Sequence, residues 1–151
     1  MHAYSSDFMF KRLLFIVLLS LPFSIFAQSN IETLKPSPDS STIVFFRGNL
    51  LWRKIINFNI KVDDKNICKI RNNRYFIYKT QPHKAVLSNV SSSLSISNKQ
   101  ALEVDLKAGK IYYIQCCVDC GIFTEPMVML QVEEQVALKR LENIKPLDLK
   151  K

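Results

Sequence analysis

The sequence predicts a mainly β protein, an antiparallel β-sandwich or partly open barrel of about seven to eight short strands with one C-terminal helix. Three observations carry that prediction. Apolar and polar residues alternate in short runs from Thr42 to Val132, the period of a half-buried strand. Turn-forming pairs such as Asp63-Asp64, Asn72-Asn73 and Gln81-Pro82 separate those runs at regular spacing. After Val132 the apolar period lengthens to that of a helix.

Taken in order, Thr42–Arg47 is a β-branched and aromatic run ended by Gly48. Phe58, Ile60 and Val62 alternate with polar residues up to the Asp63-Asp64 turn. Cys68 and Ile70 alternate with Lys69 and Arg71 before Asn72-Asn73. Arg74–Lys79 and Ala85–Val90 are the next strands, and Ser91–Asn98 is a serine-rich loop or irregular edge. Leu102, Val104 and Leu106 form the clearest half-buried strand, and Ala108-Gly109-Lys110 turns into Ile111–Val118. Met127–Val132 is the last strand. Ala137, Leu138, Leu141 and Ile144 then share a helical face, with Glu133 and Glu134 at the positive end of the helix dipole and Pro146 as a stop.

The N-terminal residues set compartment and domain limits. Lys11 and Arg12, the apolar run Leu13–Phe26 and the small Ala27 are the three parts of a secretory signal. The run is about 14 residues, short of the ~20 that span a bilayer, so residues 1–27 are expected to be cleaved. Residues 28–41, with Pro36 and Pro38 among serines, are expected as a flexible linker. Residues 42–145 form the sandwich with its helix, and residues 146–151 a tail. The expected location is the periplasm or cell envelope.

The order of these segments carries a resemblance. TIVFFR, the VDD turn, NNRYFIY, QPHKAVL, LEVDLKAGKIYYI and a GIF-x-x-P-x-x-x-L-x-V segment before a helix are similar to a bacterial exported family catalogued as domain of unknown function 2846. Leu102–Ile114 is the most specific part, and the similarity runs from about Ser41 to Leu141. Gln81-Pro82-His83 stands where that family usually has a Pro-Gly turn, and Cys116-Cys117 where small or apolar residues are usual. The resemblance implies a small β-sandwich behind a signal or lipoprotein leader and brings no catalytic residues.

No enzymatic constellation is legible. The chain has 3 glycines and 2 histidines, too few for a Gly-rich phosphate loop or the usual base and metal chemistry. No G-x-S-x-G elbow accompanies His83, which is expected as a solvated turn residue. Asp63-Asp64 has the ordinary role of aspartate in a turn. Cys68, Cys116, Cys117 and Cys120 allow three full disulfide pairings, and sequence does not choose among them. Alternation sends Cys68 and Cys116 inward, where an inter-strand bridge is one expectation. Cys117-Val-Asp-Cys120 has the gap of a redox or metal half-site, but no second pair completes it.

Charge has the most content. The formal net charge is +8, of which the leader holds Lys11, Arg12 and Asp7, leaving +7 on the mature chain. Arg47, Arg53, Lys54, Lys61, Lys65, Lys69, Arg71, Arg74, Lys79 and Lys84 face only Asp63 and Asp64 in the stretch from Arg47 to Lys84. Such a field attracts anionic partners, and export removes nucleic acid from the candidates. The reading is a non-enzymatic binding or assembly module without cofactor or metal. It uses Lys61, Lys69, Arg71 and Arg74 against anionic envelope lipid or glycan, or an envelope protein. The rival reading is an envelope enzyme, or a thiol, redox or metal module built on Cys117 and Cys120.

Overall fold

A computed structural model describes residues 31, 34–51, 54–91, 101–118 and 127–147. The strands are β1 (Ser41–Arg47), β2 (Phe58–Val62), β3 (Lys65–Ile70), β4 (Arg74–Thr80), β5 (His83–Ser91), β6 (Leu102–Leu106), β7 (Ile111–Val118), β8 (Met127–Val132) and the short β9 (Lys145–Pro146). One helix, α1 (Glu134–Leu141), lies between β8 and β9. The strands form two open sheets, ordered β8-β7-β1-β4-β9 and β3-β2-β5-β6. The result is a sandwich. The expected signal segment at residues 1–27 lies outside the described residues.

The five-stranded sheet is mixed rather than purely antiparallel, because β1 pairs parallel to β7 and β9 parallel to β4. That placement explains the unbroken apolar run of TIVFFR. β1 is central, and every one of its residues is buried. Ile43 and Phe45 enter the core between the sheets, together with Phe58, Ile60, Ile70, Leu87, Leu106, Ile114 and Met129. Val44 and Phe46 point to the other face, where Tyr75, Tyr113, Ala137, Leu141 and Ile144 form a second core beneath α1. A strand covered on both faces loses its polar alternation.

Several expected boundaries shift. Ile31 is buried and Leu34 packs against the second core. The Gly109 N–H donates to the carbonyls of Ser37 and Ser40, both at 3.1 Å. Residues 31 and 34–40, expected as a tether, therefore dock along the five-stranded sheet. Gly109 has φ +70°, a conformation that favours glycine. At the other end of the chain, α1 stops at Leu141, before Pro146, and Pro146 belongs to β9 rather than to a tail. Proline is tolerated there because β9 is an edge strand. Asp63 and Asp64, with φ of 50° and 63°, make the two-residue turn that matches strand twist.

Candidate functional site

The topology sorts the connections onto two ends of the sandwich. Residues 63–64, 81–82 and 107–110 close one end with tight turns. The opposite end takes the described loop residues 48–51, 54–57 and 71–73, because β1 runs toward it and β2 and β4 leave from it. Loops carried on a rigid scaffold are where such folds place binding residues.

A solvent-open groove at this loop end is lined by Lys54, Ile55, Asn57, Arg71, Asn72 and Arg74. Asn72 builds it. Its Oδ1 accepts the Leu50 N–H at 2.9 Å, and its Nδ2 donates to Asn49 Oδ1 at 2.9 Å. The Asn73 N–H donates to the Gly48 carbonyl at 3.2 Å, with Asn73 itself at φ 53°. These bonds fasten the β3–β4 turn to the β1–β2 loop and hold Arg71 and Arg74 in one groove with Lys54. Arg74 Nη1 also donates to its neighbour's carbonyl, Asn73 O, at 3.0 Å. Asp39, Asp63, Asp64 and Asp105 all sit toward the tight-turn end.

The expected four-residue basic face is divided by the fold. β3 is followed not by a neighbour in a meander but by a crossing into the other sheet, where β4 pairs with β1. Lys61 and Lys69 therefore stay on the outer face of the four-stranded sheet, while Arg71 and Arg74 turn into the groove. Lys54 was legible as charge but not as their neighbour. Asn57 and Asn72 carried no signal beyond turn propensity.

Arg47, counted in sequence among the stretch's cations, is fully buried. It is the Cα partner of Arg74 at the end of β1. Its guanidinium lies 5.3 Å from the Phe58 ring centroid and donates from Nη1 to the Ile56 carbonyl at 2.6 Å. The positive charge beneath the groove thus rests on an aromatic face and a backbone carbonyl.

Cys68 and Cys116 are free thiols, so the expected Cys68–Cys116 bridge is not formed. Cys68 lies on β3 and Cys116 on β7, in opposite sheets, and both side chains meet the core between them. Burial pushes the Cys68 thiol up to about 12 and also raises Cys116, which Arg47 only partly offsets. Neither has the thiolate character that thiol chemistry needs. Cys117 is half-buried on the opposite face, and its expected companion Cys120 lies outside the described residues. Among the described residues no group of three or more His, Cys, Asp or Glu is placed to hold a metal ion.

His83, expected as a solvated turn residue, is instead the first residue of β5 and half of a clamp. Its Nε2 lies 2.6 Å from Asp63 Oδ2, and its Nδ1 2.7 Å from the Gln81 carbonyl. Asp63 Oδ1 accepts the Val86 N–H at 2.9 Å. Both imidazole nitrogens face acceptors, so the doubly protonated ring satisfies both. The Gln81 carbonyl and then the Asp63 carboxylate raise the His83 pKa above 6.5. The Val86 N–H, followed by His83, lowers Asp63 below 3.8. The His83 contribution is complete below its unfolded value and disappears as pH rises through the raised folded one. The Asp63 contribution is complete above its unfolded value and disappears as pH falls through the depressed one. The clamp is therefore strongest between about pH 4 and 6.5. His83→Ala is expected to lower the unfolding free energy most near pH 5.5, by up to ~1 kcal/mol because the pair is solvent-exposed. Denaturant unfolding of both proteins across pH 4 to 9 checks this. A difference that grows toward pH 9 would contradict it.

The comparisons with known proteins give a family and no activity. No curated protein and no solved structure matches the chain. A family model described as Protein of unknown function (DUF2846) matches residues 37–127, from the docked segment before β1 to the first residue of β8. That span holds the whole four-stranded sheet, the central strands of the other and every residue of the groove, and by it the chain belongs to the DUF2846 family.

Proposed function

We propose that this protein is an exported binding module of the cell envelope that takes an anionic partner at the loop end of its sandwich. The observation that carries the reading is the groove in which Asn72 gathers Lys54, Arg71 and Arg74 around Asn57. Two guanidinium groups with an ammonium and amide donors suit the oxygens of phosphate or carboxylate. Export rests on the basic start, short apolar run and Ala27 of the leader. Cleavage after Ala27 leaves Ile31 and Leu34, which the second core uses, on the mature chain.

The test is binding of the purified protein to anionic and to neutral vesicles, at low and high salt, for wild type and Arg71→Glu/Arg74→Glu. Salt-sensitive binding to the anionic vesicles that the double variant loses supports the reading, because exposed charges are screened over ~8 Å at physiological ionic strength. Equal binding to both vesicles, or none lost in the variant, makes the cations a solubility device.

A further inference from the structure

The groove's rim is apolar where a surface loop is expected to be polar. Leu51 is 73% exposed and Ile55 is 92% exposed, the two most exposed large hydrophobic residues described. Their chain neighbours Leu50 and Ile56 do the reverse and pack against the inter-sheet core. The β1–β2 loop is thus pinned at both ends by one apolar side chain while the adjacent one projects outward. Leu50 is further fixed through its N–H to Asn72, and Ile56 through its carbonyl to the buried Arg47. Ile55 itself lines the groove beside Lys54, Arg71 and Arg74.

An exposed isoleucine beside three cations, with an exposed leucine on the same loop, matches one kind of partner surface, an anionic bilayer. Its acyl layer takes the apolar side chains while its phosphates meet the surrounding cations. Resting on the reading of the loop end as an anion-binding site, we infer that its partner is an anionic lipid surface, with Leu51 and Ile55 inserting among the acyl chains. Lys54, Arg71 and Arg74 contact the lipid phosphates. A soluble anionic glycan would use the same cations but give the apolar pair nothing to enter. Charge complementarity and the apolar pair together select the lipid. Lys61 and Lys69, on the outer sheet face, stay out of this contact.

The experiment is co-sedimentation of the purified protein with vesicles of equal parts phosphatidylglycerol and phosphatidylcholine, and with pure phosphatidylcholine. Heparin affinity provides the soluble-polyanion arm. The variants are Leu51→Ser/Ile55→Ser and Arg71→Glu/Arg74→Glu, each first shown to unfold at the wild-type temperature. The serine variant is expected to bind the anionic vesicles at least about tenfold more weakly, since each buried aliphatic side chain contributes on that order or more. Its heparin affinity stays unchanged. The glutamate variant loses both. If the serine variant binds vesicles as wild type while the glutamate variant does not, insertion is overturned and the anionic groove stands. Heparin binding without vesicle binding by wild type overturns the lipid and leaves a glycan. Vesicle and heparin binding unaffected by the glutamate pair overturns the groove itself.

Discussion

Phe45→Ala is expected to destabilise the protein by about 3–5 kcal/mol, the usual cost of emptying a buried aromatic site. Phe45 is fully buried on the central strand of the five-stranded sheet and faces the four-stranded one. Its Cα partners are Phe76 on β4 and Ile114 on β7, so it is held from both sides and its neighbours have little freedom to close the void. A domain of this size is stable by only roughly 5–15 kcal/mol. Loss of a third or more shifts thermal unfolding by about 10 °C or more. Leu51→Ala, at an exposed position, is expected to stay within about ±0.5 kcal/mol. Denaturant titration of both variants distinguishes them. A Phe45→Ala cost below 1 kcal/mol would mean that β1 is not the centre of the packing.

The second large effect is on binding. Each cation close to an anionic surface contributes about 1 kcal/mol. Reversing two of them removes two attractions and adds two repulsions, so Arg71→Glu/Arg74→Glu is expected to weaken binding to anionic vesicles by roughly 10²–10³-fold, about 4 kcal/mol at the upper end. Lys61→Glu/Lys69→Glu makes the same change in net charge on the outer face of the four-stranded sheet. It is expected to weaken binding only a few-fold, through the long-range field that falls off within a Debye length. The pair of variants separates a located site from a general charge effect. Equal losses in both would show that only net charge matters.

Local patterns were legible in the sequence, and long-range placement was not. Alternation at Leu102–Leu106, one face of which meets the core, and the Ala108-Gly109-Lys110 turn before Ile111–Val118 gave those strands their observed bounds. The Asp63-Asp64 and Asn72-Asn73 turns were visible for the same local reason. Alternation does not say which sheet a strand joins. Sequence alone therefore groups Arg74 with Lys61 and Lys69, although the chain crosses between sheets at Asn72-Asn73. The burial of Arg47 was hidden too, since its cover comes from Phe58 and Ile56 on a loop and strand that follow it. The Asp63–His83 clamp joins residues 20 apart that only the β2–β5 pairing brings together. Ile31 and Leu34 sat among prolines and serines, and their burial depends on a second core that composition does not reveal.

The most direct test of the loop-end site is to follow backbone amide resonances while the purified protein is titrated with short-chain phosphatidylglycerol below its micelle concentration. The account predicts shifts concentrated at Lys54, Ile55, Asn57, Arg71, Asn72 and Arg74, fading with added salt, while Lys61, Lys69 and the Asp63–His83 end stay unmoved. Shifts spread across the outer face of the four-stranded sheet, or centred away from the groove, would contradict it.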